Sequence, residues 1–181
     1  MHILAIYGSL RERSTNKALA LAAQKLAPDG MTVEPVASPV FSIYSEDTEK
    51  SAFPDEVVAF KKHIEQAEGV LFATPEYNRS LPGGLKNMLD WTSRPSGSHP
   101  WKGKPIGVIG ASSGDRGTIS AQYDLKRMMN YFGAHVLGQP EFYLNATGKF
   151  DDAMNLVDEK TKEALKKYLN AFKEHIECLS K

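Results

Sequence analysis

Ile3-Leu4-Ala5-Ile6-Tyr7-Gly8-Ser9-Leu10-Arg11-Glu12-Arg13-Ser14-Thr15-Asn16 is the stretch that decides the fold. A short unbroken apolar run, closed by glycine and followed by a hydroxyl-rich turn, reads as a parallel strand buried on both faces. A helix then begins near Ser14 to Asn16. The intervening loop aims backbone N–H groups and the side chains of Ser9, Ser14, Thr15 and Asn16 at whatever sits above the strand's carboxyl end. Arg11 adds a planar fork suited to phosphate oxygens, so the loop favours a phosphate monoester. On these residues alone a plain strand-to-helix turn, with Ser14 or Thr15 as N-cap, stays open. Neither G-x-x-x-x-G-K-S/T nor G-x-G-x-x-G follows the strand, which weighs against ATP and dinucleotide loops of the familiar kinds.

Outward from this loop, short apolar runs alternate with longer amphipathic segments. Strands are expected near 2 to 7, 31 to 36, 69 to 74, 105 to 111 and 134 to 138, with helices between them. That order implies an α/β fold with a parallel sheet covered on both faces. Pro35 and the polar residues around it weaken the second strand and suit an edge position. The opening loop fits a flavodoxin-like, doubly wound five-stranded parallel sheet of order 2-1-3-4-5, in which ligands bind at the carboxyl ends of the strands by the switch point. Helical spacing at Val57, Phe60, Ile64 and Ala67, and at Leu165, Leu169, Phe172, Ile176 and Leu179, marks core stripes. The lysines of the last helix read as a solvated face.

The 181 residues suit one domain over 1–181. Lys+Arg and Asp+Glu each number 22, so no net field recruits nucleic acid or an anionic membrane surface. Cys178 is the single cysteine, which excludes an internal disulfide and fits a reducing compartment. No apolar stretch reads as a signal or membrane segment, so a cytoplasmic location is expected.

Two further loops should converge on the first. Thr74-Pro75-Glu76-Tyr77-Asn78-Arg79-Ser80-Leu81-Pro82-Gly83-Gly84 is stiffened by two prolines. Amides from Pro75 to Asn78 suit the polar edge of a heteroaromatic ring, and Tyr77 suits its face, unless Tyr77 is simply core. Gly83-Gly84 read as sites of close backbone approach. Gly110-Ala111-Ser112-Ser113-Gly114-Asp115-Arg116-Gly117-Thr118 again brings small residues to the switch point, where Ser112 and Ser113 offer hydroxyls and N–H groups and Gly114 and Gly117 let the loop pass closely over a ligand. The same segment contains G-x-S-x-G, so a serine hydrolase is a rival, with Ser112 as nucleophile, His175 as base and an acid among Asp151, Asp152 and Asp158. The placing of His175 within a helix argues against it.

Taken together the loops resemble those of the NADPH-dependent FMN reductase family, across nearly the whole chain. Gly8, Ser9, Arg11, Ser14 and Asn16 match its G-S-x-R-x-x-S-x-N pattern. Thr74 through Trp91 match T-P-E-Y-N-x-S-x-P-G-x-L-K-N-x-x-D-W. The resemblance implies an FMN phosphate at Ser9, Arg11, Ser14, Thr15 and Asn16. It implies an isoalloxazine bordered by Pro75, Glu76, Tyr77 and Asn78, with Ser112, Ser113 and Gly114 beyond. Hydride would pass from NADPH or NADH to the flavin, and two electrons onward to a small-molecule acceptor, a quinone or a similar compound. No catalytic side chain and no metal site are expected. Arg79 stands where a tyrosine is familiar in the chromate-reducing subgroup, and Arg13, Arg79 and Arg116 are unranked candidates for a nucleotide phosphate. The other class in play is a flavodoxin-like electron carrier; such carriers are usually strongly acidic, and this chain is neutral. A homodimer or homotetramer is expected, using Leu85 to Trp91 and the surroundings of Trp101, unless both tryptophans complete the core.

Overall fold

Period-two alternation in the strands divides the apolar residues between two cores. In the computed structural model, which describes residues 1–180, β1 (His2–Tyr7) turns Ile3 and Ala5 to one side and Leu4 and Ile6 to the other. The first side is covered by α1 (Thr15–Lys25) and α6 (Glu159–Leu179), through Leu19, Ala23, Leu165, Leu169 and Phe172. The second is covered by α3 (Asp55–Gln66), α4 (Gly83–Thr92) and α5 (Ile119–Tyr131), through Val57, Ile64, Leu85, Leu89 and Leu125. Each fully buried Leu or Ile side chain contributes about 1.5–3 kcal/mol. A short α2 (Glu46–Ser51) lies ahead of α3 and buries nothing.

The sheet runs β2-β1-β3-β4-β5, all parallel, with β2 at Thr32–Ala37, β3 at Gly69–Ala73, β4 at Pro105–Ser112 and β5 at His135–Val136. The order is the expected one, and the switch point lies between β1 and β3. β2 is an edge strand, and Pro35 sits opposite Ala5 without interrupting a second ladder. The far edge differs from expectation. β5 has only two residues, and a sixth strand, β6 (Tyr143–Asn145), pairs with Gly110 to Ser112 at the other end of β4. Between them the Val108 N–H donates to the buried Tyr168 hydroxyl of α6 at 2.7 Å. Three residues are too few to show a period, so β6 left no pattern to read.

Two other expectations, for the tryptophans and for Leu179, differ from the structure. Trp91 and Trp101 are wholly buried. Their indole N–H groups donate to the Ser42 carbonyl at 2.7 Å and to Thr92 Oγ1 at 3.1 Å, and their rings pack on Tyr44, Phe53 and Phe72. They complete the core and are not available to an interface. Leu179 keeps the spacing of the stripe but is exposed at the last turn of α6. Among the described residues no helix is long and apolar enough to cross a membrane.

Candidate functional site

The first loop is built around the start of α1. Ser14 is the N-cap, its hydroxyl accepting from Lys17 N–H at 3.1 Å. The N–H groups of Thr15 and Asn16 are the orphan donors of that helix terminus, where the dipole favours an anion. Asn16 is buried and does something its spacing did not announce. Its side-chain N–H donates to the Ala111 carbonyl and its oxygen accepts from the Ala111 N–H, both at 2.9 Å. The amide group is thereby engaged with β4, and what Asn16 offers a ligand is its backbone.

The second loop folds into a tight hairpin. Tyr77 and Ser80 exchange both backbone hydrogen bonds at 3.0 Å, and the two residues between them, Asn78 and Arg79, have φ of 51° and 64°. Both central residues at positive φ make a type I′ turn, which Asn accepts readily and Arg does not. Ser80 Oγ donates to Asp124 at 2.7 Å, fixing the hairpin on α5. Glu76 performs a second cross-link: its Oε2 accepts from the N–H groups of Ser120 and Ala121 at 2.8 and 3.1 Å. The N-cap of α5, Thr118, makes no side-chain cap bond, so a carboxylate from another loop supplies it. Gly83 and Gly84 have open space about them, so close approach within the chain is not their role.

The third loop needs small residues for definite reasons. A Cβ on Gly110 would stand 1.9 Å from Thr118 Oγ1 and 2.5 Å from the Thr74 carbonyl. Gly117, at φ 56°, lies against the backbone of β6. Ser112 Oγ donates to the Gly117 carbonyl at 2.6 Å and accepts from Gly114 N–H at 3.2 Å.

The three loops enclose a cavity of about 450 Å³ at the switch point. Ser9, Arg11, Ser14, Thr15, Asn16, Pro75, Glu76, Tyr77, Ser112 and Ser113 line it, together with Ala111, Ala146 and Thr147. Asn78 forms the hairpin turn instead, and Gly114 lines an adjoining cavity. Ala146 and Thr147 are held by Ala146 N–H donating to the Ser112 carbonyl at 2.8 Å. They follow β6, and no sequence pattern marked them. A hollow of about 520 Å³ lies beside α1, against Met154 and Leu156, and gathers the stems of Lys17, Lys25 and Lys162.

The cavity lining carries no histidine, and its one carboxylate, Glu76, is engaged by the start of α5. The shifted carboxyl of Glu34, held low by hydrogen bonds from His63 and His2, lies at the opposite end of the sheet, and burial lowers Lys61 and Lys104 elsewhere. The hydrolase alternative fails on geometry. His175 Nε2 is 3.0 Å from the His135 carbonyl. His135 pairs with Pro105 at the start of β4, whereas Ser112 ends it, some seven residues or about 23 Å along the strand. Asp158 caps α6 and Asp151 binds Asn155. Among the described residues no group of three or more His, Cys, Asp or Glu can hold a metal ion.

The family model described as NADPH-dependent FMN reductase matches residues 1–149. The chain is similar to an NAD(P)H-dependent FMN reductase of Pseudomonas aeruginosa, 41% identical over 93% of this chain and 91% of that protein. It is similar to a 2-hydroxy-1,4-benzoquinone reductase of a Burkholderia species, 41% identical over 95% and 94% of the two chains. Among solved structures, the flavoenzyme NAD(P)H:(acceptor) oxidoreductase of Paracoccus denitrificans superposes with a TM-score of 0.88 at 36% identity, over 98% of this chain and 97% of that one.

Proposed function

Because this chain belongs to the NADPH-dependent FMN reductase family, we propose that it is an NAD(P)H oxidoreductase. In this reading it holds FMN in the switch-point cavity and passes two electrons from NADPH or NADH to a quinone or similar small acceptor. The residues present fit that cofactor. The orphan N–H groups of Thr15 and Asn16, the hydroxyls of Ser9 and Thr15 and the guanidinium of Arg11 suit a phosphate dianion at a helix start. Pro75, Glu76 and Tyr77 wall the same cavity, with Tyr77 about half exposed at its rim. When bound, the flavin supplies hydride acceptance and two-electron delivery.

The chain's own contribution is positioning. Asn16 ties loop one to β4, and Glu76 ties loop two to α5, so the walls of the cavity are fixed relative to one another before any ligand arrives. Such preorganisation keeps two planar rings in register without a nucleophile or a general acid. Ser112 and Ser113 close the far side, Ser112 already oriented by Gly114 and Gly117. The observation that carries the reading is this convergence of an anion-ready helix start and a rigid polar wall on one cavity.

Binding of FMN against riboflavin tests the phosphate part. FMN should bind at least about 100-fold more tightly, as two or more charge-assisted hydrogen bonds predict, and Arg11→Ala should remove about tenfold of that margin. Equal affinity for the two flavins would contradict the phosphate assignment. The enzyme is also read as a cytoplasmic homodimer or homotetramer. Support comes from exposed Leu10, Val40 and Ile43, which follow the carboxyl ends of β1 and β2. Sedimentation showing only a 20.0 kDa species would remove the oligomer.

A further inference from the structure

A second cavity, of about 490 Å³, adjoins the first and shares Glu76, Ser112 and Ser113 with it. Its lining contains no aliphatic or aromatic side chain. A quinone or a nicotinamide ring calls for apolar contact, so the chemistry of this lining suits the polar part of a ligand. Two guanidinium groups border it, those of Arg79 and Arg116. Two carboxylates do so as well, but each has partners of its own. Glu76 caps α5, and Asp115 accepts from the Asn145 amide at 3.1 Å.

The arginines are held far more loosely. Arg79 stands 3.8 Å from Glu76 with its side chain two-thirds exposed, and among the described residues no hydrogen bond or ion pair engages Arg116. Arg79 keeps its place in a turn whose φ of 64° is costly for a residue with a Cβ, which favours the side chain's being used there. Arg13, by contrast, donates to the Asp152 carbonyl at 3.0 Å and lines neither cavity. Resting on the reductase reading, we infer that this second cavity receives a phosphate of the reduced nicotinamide nucleotide, with Arg79 and Arg116 as its two cations. The nicotinamide would then lie toward the shared wall at Glu76, Ser112 and Ser113, beside the flavin.

Arg79→Asn, which suits the turn, and Arg116→Gln leave both folds of the loop intact and remove one cation each. Calorimetric titration of the FMN-loaded protein with adenosine 2′,5′-bisphosphate and with ADP reads the site without turnover. Each variant should bind at least one of these nucleotides about tenfold more weakly than the wild type. Loss for the bisphosphate alone, with KM raised for NADPH and unchanged for NADH, assigns the 2′-phosphate. Loss for both, with KM raised for both, assigns the pyrophosphate. Flavin content and the KM for the quinone should not change in either case. Wild-type protein that binds neither nucleotide, or variants that bind both as the wild type does, would overturn the inference. Failure of the reductase reading would look different, since flavin reduction would then be absent from the wild type whatever the two arginines bind.

Discussion

At the amino end of the sheet, polar groups satisfy one another on the surface. The terminal ammonium bonds the Gly30 carbonyl at 3.0 Å, His2 N–H donates to Glu68 at 2.6 Å, and Glu34 lies 2.9 and 3.2 Å from the ring nitrogens of His2 and His63. At the carboxyl end polar side chains shielded from solvent bond the backbone of another element: buried Asn16 grips Ala111, and part-buried Glu76 grips the start of α5. Surface pairs hold little because water replaces either partner, whereas a side chain that satisfies buried backbone cannot be replaced. The same fold therefore carries one end whose polar contacts are dispensable and one end whose polar contacts define the shape of a cavity.

Substitutions should separate the two ends by size of effect. Gly110→Ala comes first, because its Cβ would occupy the space of Thr118 Oγ1 and the Thr74 carbonyl; a loss above about 3 kcal/mol is expected in chemical denaturation, or no folded protein. Asn16→Leu leaves the N–H and carbonyl of Ala111 unpaired in the core and should lose about 2–4 kcal/mol. Glu76→Ala uncaps α5 and should lose about 1–2 kcal/mol by the same method, while freeing the loop-two wall and weakening FMN retention. Glu34→Gln should change stability by no more than about 0.5 kcal/mol.

The last of these has a pH signature. Hydrogen bonds from His63 and then His2 hold the Glu34 carboxyl below its ordinary 4.5. A carboxyl lowered in the folded protein contributes stability above its unfolded value and loses it as pH falls through the folded one. The small gap between wild type and Glu34→Gln should thus be present at pH 6 and close below about pH 4. A gap that widens on acidification would show that the sign is wrong. An Asn16→Leu protein as stable as the wild type would erase the contrast between the two ends.

Much of this was legible in the sequence because it lies in periods and punctuation. The apolar run Ile3 to Tyr7 and the stripe Leu165, Leu169, Phe172 and Ile176 are long enough to fix strand and helix, and Pro35 marked the edge. The three loops meet, with Asn78 and Gly114 outside the cavity lining, because parallel topology brings the carboxyl ends of β1, β3 and β4 together. What was not legible is side-chain partnership across distance. Nothing in Ser-Thr-Asn says that Asn16 will reach Ala111, 95 residues on, and nothing in Pro-Glu-Tyr says that Glu76 caps a helix beginning at Ile119. Trp91 and Trp101 show the same gap, since apolarity alone does not tell core from interface.

The central claim is that the carboxyl-end cavity is a flavin site serving a reductase. Its most direct test is the visible spectrum of the protein loaded with FMN, freed of excess and mixed anaerobically with NADPH and then NADH. The account predicts retained yellow flavin, bleached by one or both nucleotides and restored by a quinone. Protein that retains no flavin, or whose retained flavin neither nucleotide bleaches, would contradict it.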